Sequence, residues 1–184
     1  MADEKEYQYA TPVEAFAAAE RKIDEVRKTG GERLLLERYG LEDLPESIVG
    51  LERLRTLDLD YNRLTTVPAI LRQLPVLQSL NLQDNKLARL PEEAFAGLQQ
   101  LKHLALSRNG LTTLPEKIFT EVPQLESLIL RDNNLTTLPL DVFARLSWLK
   151  RLLLNGNGLT SLPRSLEKCR RLKCCIFTAI PHWV

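Results

Sequence analysis

One short pattern recurs six times along this chain of 184 residues, at nearly constant spacing. Its clearest copy is residues 101–115, where five leucines, an asparagine and a final proline stand in the order LxxLxLxxNxLxxLP. Further copies start at Leu54, Leu77, Leu125 and Leu149. A weaker copy starts at Gly31, where Tyr39 replaces the asparagine. The closing prolines are 23 or 24 residues apart, and a fixed period of this length is the signature of repeat architectures.

The pattern resembles that of the leucine-rich repeat family, and the resemblance covers about residues 31–177. It implies an α/β fold, a short curved right-handed solenoid with a parallel β-sheet on its concave face. It also implies a surface that binds other macromolecules. The run 21–30 and the lack of paired cysteines around the first repeat are similar to bacterial and intracellular members rather than to secreted animal ones.

Alternation within each copy separates inward from outward side chains. Leu104 and Leu106 flank Ala105, so a strand here buries the two leucines and turns the alanine outward. A single repeat cannot bury its own leucines, but stacked neighbours can. The asparagines at the ninth position are interpreted as structural, because a buried amide can satisfy backbone groups that a turn leaves unpaired. They are Asn62, Asn85, Asn109, Asn133 and Asn157.

The repeats fall into two subtypes after the proline. In the three central copies Phe95, Phe119 and Phe143 follow the proline by four residues, and in the others an aliphatic residue follows it by three. Aromatic rings at a structural period usually fill core volume. We therefore expect the three rings to stack as a spine on the convex side.

A helix precedes the repeats. Thr11 can cap it, Pro12 suits the first helical position, Glu14 completes a capping box, and Gly30 ends it. Its predicted apolar stripe is Val13, Phe16, Ala19, Ile23 and Val26. Because a solenoid leaves an apolar end and an unpaired strand edge, the helix is predicted to cap the first repeat. A partner-binding amphipathic helix is the alternative.

The chain accordingly divides into three regions. They are an N-terminal tail and capping helix at 1–30, six repeats at 31–171, and an abbreviated C-terminal cap at 172–184. In the C-terminal cap we expect Leu172, Cys175 and Phe177 at core positions, with Trp183 over the open end.

Few residues suit catalysis or metal binding. Four possible zinc ligands lie close in sequence, namely Cys169, Cys174, Cys175 and His182, but their spacing matches no paired zinc motif. His103 lies on a strand beside Ser79 and Ser127, and the pattern supplies neither an orienting acid nor an oxyanion hole. The sequence predicts a protein that is not an enzyme and that uses no cofactor, metal or small-molecule substrate.

Composition also bears on location. The sequence has no apolar run of transmembrane length, and its first residues lack the apolar core of a secretory signal. Its three cysteines then favour reduced thiols. We expect a monomer in the cytoplasm, or an effector translocated from it.

Strand alternation assigns the outward side chains of the concave face, which we group into rows by their position in the repeat. The third-position row is Arg33, Thr56, Ser79, His103, Ser127 and Arg151. The fifth-position row is Leu35, Asp58, Asn81, Ala105, Ile129, Leu153 and Ile176. The seventh-position row is Glu37, Asp60, Gln83, Ser107, Arg131 and Asn155, and the eighth adds Tyr61, Asp84, Arg108 and Asp132.

Two zones stand out among these rows. The first is acidic, around Asp58, Asp60 and Asp84. The second is an apolar row from Ala105 through Ile129 and Leu153 to Ile176, edged by Arg131, Arg151 and Lys150. Apolar residues rimmed by charge suggest a contact site. The predicted partner-binding residues are Asp58, Asp60, Tyr61, Asn81, Gln83, His103, Ala105, Ser107, Ile129, Arg131, Arg151, Leu153 and Ile176.

The resulting prediction is a protein–protein interaction module that binds through its concave face. One alternative is the recognition half of a bacterial effector, ligase, kinase or GTPase system. Another is weak binding of nucleic acid or acidic lipid, since residues from Arg145 onward carry eight basic side chains and one acidic. These basic residues lack interleaved aromatics, which disfavours nucleic acid. A further alternative for the apolar row is that the C-terminal tail folds back over it.

Overall fold

The structure is a computed structural model that describes residues 7–176, and within that range a single helix precedes seven parallel strands. The helix α1 spans Pro12–Thr29. The strands are Arg33–Leu35 (β1), Thr56–Asp58 (β2), Ser79–Asn81 (β3), His103–Ala105 (β4), Ser127–Ile129 (β5), Arg151–Leu153 (β6) and Cys174–Ile176 (β7). They form a single sheet in chain order, so each repeat adds one strand, and the predicted solenoid is confirmed.

The sheet register places equivalent positions of successive repeats side by side. Leu80 of β3, for example, pairs with Leu57 on one side and with Leu104 on the other. The central leucines of β1 to β6 are buried, while the residues before and after them face the concave side. The rows assigned from the sequence are therefore continuous rows in the structure.

Inward leucines and three phenylalanines make the core. The rings of Phe95, Phe119 and Phe143 are fully buried and stack with centroids 6.4 Å apart at both steps, as the sequence predicted. The repeats of the aliphatic subtype have a different backbone conformation after the proline. Short 3₁₀ helices follow the prolines of the aliphatic repeats, at Glu46–Gly50, Ala69–Gln73 and Arg164–Lys168.

The asparagine ladder is structural, as predicted. Asn85 Oδ1 accepts from the Leu64 N–H at 3.0 Å. Its Nδ2 donates to the Leu59 carbonyl at 2.9 Å and to the Leu82 carbonyl at 3.1 Å. Each asparagine therefore ties its own turn to the preceding repeat, and the first repeat, which has Tyr39 there, receives this tie from Asn62.

The helix has the predicted capping box and packs on β1 and the Glu46–Gly50 turn. Its predicted stripe is partly wrong, since Val13 is 78% exposed and Phe16 is 41% exposed. The buried side chains are Ala15, Ala18, Ala19, Ile23 and Val26. Both stripes recur at helical spacing, so periodicity alone could not choose between them. The alanine stripe lets the helix backbone approach the first repeat closely.

Residues just before the helix complete the N-terminal edge of the solenoid. Within the repeats, the eighth-position N–H donates to the seventh-position carbonyl of the next repeat, as Arg38 does to Asp60 at 2.9 Å. Glu37 has no preceding repeat, and the Gln8 side-chain amide donates to its carbonyl instead, at 2.9 Å. Tyr9 also packs edge-on against Tyr39, with ring centroids 5.0 Å apart.

The C-terminal end differs from the prediction at one position. Cys169 is buried and Leu172 is partly buried, but Cys175 is exposed, because β7 is the last described strand and none of the described repeats covers its inward side. The predicted roles of Phe177 and Trp183 fall outside the described residues. None of the described residues forms a helix with the length and apolar character needed to cross a membrane.

Candidate partner-binding surface

The concave rows bring the predicted site residues onto one face, with different exposure. Exposed residues are His103, Arg151 and Ile176. Partly exposed residues are Asp58, Asp60, Tyr61, Asn81, Gln83, Ala105, Ile129 and Arg131. Ser107 and Leu153 are buried. The face thus unites eleven of the thirteen predicted residues as accessible side chains.

Leu153 and Ser107 correct the predicted site. Leu153 pairs with Ile129 and Ile176 in the expected outward register, yet it is only 1% exposed. Row position fixes the direction of a side chain but not what lies over it. Ser107 is a short side chain between the longer Gln83 and Arg131 of the seventh-position row, which explains its burial. Neither residue offers free contact area.

The carboxylates of the acidic zone accept hydrogen bonds from neighbouring backbone N–H groups and repel one another. The Asp60 N–H donates to Asp58 Oδ1 at 3.0 Å, and the Tyr61 N–H donates to Asp60 Oδ1 at 3.0 Å. Burial, followed by repulsion from Asp58 and Asp84, raises the pKa of Asp60 from 3.8 to about 6. The charge of this zone therefore changes in the mildly acidic range, where a carboxylate normally stays ionised.

Sequence reasoning missed an ion pair beside this zone. Arg108 Nε donates to Asp84 Oδ2 at 2.8 Å, and the Asp84 side chain is almost fully buried. A similar contact places the Arg38 guanidinium 4.1 Å from the centre of the Tyr61 ring. These four residues share the eighth position and a left-handed backbone. Gly156, which holds the same position, was the one signal in the sequence for this conformation.

The apolar zone begins at Ala105 and Ile129, which lie side by side in register and are partly exposed. Arg131 and Arg151 lie on either side of this row. Lys150, predicted as part of the same edge, is paired with Glu126 at 2.7 Å, and this hydrogen bond lowers the pKa of Glu126. Lys150 is therefore not an unpaired charge at the edge of the apolar row, and Arg131 and Arg151 are the basic residues that flank it.

Three buried polar atoms follow one another along the seventh-position row. They are Ser107 Oγ, Arg131 Nε and Asn155 Oδ1, and none has a hydrogen-bond partner among residues 7–176. Backbone bonds link the same turns, from the Arg108 N–H to the Arg131 carbonyl at 2.9 Å and from the Asp132 N–H to the Asn155 carbonyl at 3.0 Å. The three atoms thus lie on consecutive repeats, and buried polar groups are normally paired.

The side of the solenoid carries a second feature that the sequence did not reveal. Trp148 is exposed, and the Arg171 guanidinium stacks 3.6 Å from the centre of its ring. Trp148 also lines an open groove of about 370 Å³ together with Lys102, Gln124 and Glu126. An aromatic side chain does therefore stand among the basic residues of the C-terminal half.

Within residues 7–176 no cluster of His, Cys, Asp and Glu side chains is arranged to hold a metal ion. Burial raises the pKa of Cys169 to about 11, so its thiol stays protonated at neutral pH. His182, the fourth zinc ligand considered, lies outside the described residues.

A stack of 23- and 24-residue units with one parallel strand each defines the chain as a repeat solenoid with an open concave face. The family model described as leucine rich repeat matches residues 32–87, 75–135 and 123–173. The chain therefore belongs to the leucine-rich repeat family. Repeats of this family commonly mediate protein–protein interaction and are typically not enzymes. No curated protein matches the chain.

Proposed function

We propose that this chain is a non-enzymatic module that binds a protein partner on its concave face. The observation that carries the proposal is the composition of the outward rows. The inward leucines and the asparagine ladder already account for the fold, so nothing in the repeat requires Ile129, Arg131 or Asp60 at outward positions. Side chains that the fold does not need, held on a rigid sheet, are where recognition can be encoded.

The two zones indicate the chemistry of the partner. Asp58 and Asp60 offer negative charge near one end, and Ile129 offers apolar area between Arg131 and Arg151 near the other. Asp58 and Ile129 lie three strands apart, which is about 14 Å at the usual strand spacing. A surface with a basic group, an apolar centre and an acidic group at matching distances would complement this face.

The size of the face limits its contribution. Seven strands at about 4.8 Å span roughly 30 Å, and a standard interface needs about 800 Å² on each partner. The partner must therefore also touch the rim, where the eighth-position residues Tyr61 and Arg108 lie.

A matched pair of variants tests the proposal. Ile129→Asp places a charge at the apolar centre, while Leu140→Asp makes the same change at an exposed leucine outside the strand rows. A partner captured with the parent protein would then be titrated by calorimetry. Because a central contact residue carries about 2 kcal/mol or more, Ile129→Asp should weaken binding at least tenfold and Leu140→Asp should not.

Two outcomes would contradict the concave-face proposal. One is equal affinity of Ile129→Asp and the parent at unchanged melting temperatures. The other is an equal loss in both variants, which would show that any added charge disturbs binding.

The setting that we propose is a monomer in the cytoplasm, or a translocated effector in which this chain is the recognition half of a larger system. The cysteines Cys169, Cys174 and Cys175 are free thiols within the described residues, which supports a reducing compartment. Sedimentation of the purified chain tests the monomer, since a concentration-dependent mass would contradict it.

A second candidate function is polyanion binding by the side of the C-terminal half. The stack of Arg171 on Trp148, with Arg170 and Lys173 exposed nearby, supports it. Exposed charges are screened within about 8 Å at physiological ionic strength, so we expect adhesion to nucleic acid or anionic vesicles only at low salt. Tight filter binding at physiological salt would instead make polyanion binding the leading function.

A further inference from the structure

Asparagine is followed directly by glycine three times in the chain, at 109–110, 155–156 and 157–158. This dipeptide is prone to deamidation, because glycine has no Cβ to hinder the attack of its backbone nitrogen on the asparagine side-chain amide. The reaction needs a side-chain amide that can turn toward the backbone and a glycine N–H that can give up its proton. Hydrogen bonds to either group oppose it, so the three sites can be compared by their hydrogen bonds.

The two sites that belong to the asparagine ladder are held at both groups. Asn109 Oδ1 accepts from the Leu87 N–H at 3.0 Å, and its Nδ2 donates to the Leu82 carbonyl at 3.0 Å. The Gly110 N–H donates to the Leu87 carbonyl at 2.9 Å. Asn157 and the glycine N–H that follows it are held in the same way. Attack at either site therefore requires several hydrogen bonds to break first.

Asn155 stands outside the ladder, in the seventh-position row, and neither group is held among residues 7–176. Its Oδ1 is buried without a hydrogen-bond partner in this range, while the residue as a whole is partly exposed. The Gly156 N–H donates to none of the carbonyls of the same range. The equivalent N–H of the preceding repeat, that of Asp132, donates to the Asn155 carbonyl at 3.0 Å. Gly156 is exposed, so water can reach the pair.

We propose that Asn155 is a site of spontaneous deamidation in the folded protein. The Gly156 nitrogen loses its proton to solvent hydroxide and attacks Asn155 Cγ. A C–N bond forms, the Cγ–Nδ2 bond breaks, and the Nδ2 nitrogen leaves as ammonia. Water then opens the cyclic imide at either carbonyl, which gives aspartate or isoaspartate at position 155. The net reaction turns an amide and water into a carboxylate and an ammonium ion, with no oxidant or reductant.

The product changes the charge of the concave face. Asn155 and Arg131 hold the same row position on neighbouring repeats, and Arg131 Nε has no acceptor among the described residues. A carboxylate at position 155 therefore adds a negative charge to the row that flanks Ile129 on one side. The deamidation site does not rest on the proposed function; only an effect of this charge on a partner would.

The three sites serve as matched controls for one another in the full chain. The purified protein is kept at mildly alkaline pH, folded in one sample and unfolded by urea in another. Peptide mass spectrometry with backbone fragmentation follows each site and separates position 155 from position 157. In urea we expect comparable rates at all three sites, because the dipeptide is the same. In the folded chain Asn155 should stay close to its unfolded rate. Asn109 and Asn157 should react at least about tenfold more slowly, because they need local opening first.

Asn155→Gln is the second variant, because glutamine forms a cyclic imide far more slowly than asparagine does. The position is outward and partly exposed, so the fold should persist, which circular dichroism checks. Ion exchange of the folded protein should show an acidic form that accumulates in the parent and not in this variant. The proposal is overturned if folded Asn155 reacts as slowly as Asn109, or if folding slows all three sites equally. Equal accumulation of the acidic form in Asn155→Gln would also overturn it.

Discussion

The asparagine ladder gives the sharpest quantitative prediction, because its members hold different numbers of backbone groups. Asn62 is fully buried, and its Oδ1 accepts from both the Gly40 N–H and the Leu41 N–H at 2.9 Å. Asn109 is partly exposed, and its Oδ1 accepts from the Leu87 N–H at 3.0 Å. Leucine is similar to asparagine in shape but cannot accept a hydrogen bond. Replacement therefore removes the partner of two donors at Asn62 and of one at Asn109.

The magnitudes follow from the number of donors. A buried donor left unpaired costs about 1–3 kcal/mol, so Asn62→Leu should lower the free energy of unfolding by about 2–6 kcal/mol and Asn109→Leu by about 1–3 kcal/mol. The carbonyls that both amides serve add less, since under-satisfied carbonyls are tolerated better than orphaned N–H groups. A typical protein has a free energy of unfolding of about 5–15 kcal/mol, so the loss predicted for Asn62→Leu is a large fraction of the total.

Urea unfolding, followed by circular dichroism, measures both variants against the parent. The midpoints should fall in the order parent, Asn109→Leu, Asn62→Leu, with unchanged m-values if the unfolding remains two-state. The reasoning fails if Asn62→Leu is as stable as the parent. It also fails if Asn109→Leu is the more damaging variant, because donor count would then not set the cost.

Three further predictions concern a charge, a glycine and the N-terminal helix. A raised pKa means that folded Asp60 binds its proton more tightly than the unfolded chain does, so this group lowers stability as the pH rises from 3.8 to about 6. Asp60→Asn should stabilise the protein by about 1–2 kcal/mol near pH 7.5 and not near pH 4. Equal gains at both pH values in urea titrations would contradict the raised pKa of Asp60. Gly97 has a φ of 81°, and an added Cβ would lie 2.5 Å from the Arg72 carbonyl oxygen. Gly97→Ala should therefore lower the free energy of unfolding by about 2–3 kcal/mol in the same assay. A neutral result would refute the close approach. If α1 caps the core, Ile23→Ala should lower the free energy of unfolding by about 2–5 kcal/mol, because Ile23 is fully buried. Phe16→Ala should change it little, because Phe16 is exposed. Similar melting temperatures for the two variants would argue against a cap.

The fold was predictable because it rests on positions that repeat. Each inward leucine is required by the same packing in every unit, so six copies specify the strand register and the phenylalanine spine independently. The helix stripe was less certain, since Phe16 and Ala15 both fit a helical period and only contact with β1 decides between them. Cys175 was misplaced for a related reason: its position is inward in the repeat, but β7 is the last strand of residues 7–176, and none of these residues forms a further repeat over it.

The candidate site was only partly predictable, because outward positions have no repeating constraint. Strand alternation placed Ile129 and Asp58 correctly on the concave face. Alternation could not reveal that Leu153, in the same row, is buried, because the position in a row sets the direction of a side chain and not what packs over it. The Asp84–Arg108 pair was missed because it depends on a left-handed backbone that glycine marks in one repeat only, at Gly156.

That left-handed position also bears on what the rim of the concave face is for. Tyr61, Asp84 and Arg108 have φ between 50° and 52°, a region that costs an L-residue roughly 1–2 kcal/mol and that glycine adopts readily. Gly156 shows that glycine fits the turn, so the side chains are not needed for the backbone path. Asp84 and Arg108 pair across neighbouring repeats, and Arg38 stacks on Tyr61 in the same way. These contacts offset part of the cost and hold a row of charged and aromatic groups in fixed directions beside Asp60. A row held in this way offers a partner an ordered rim, whose side chains lose little conformational entropy on binding.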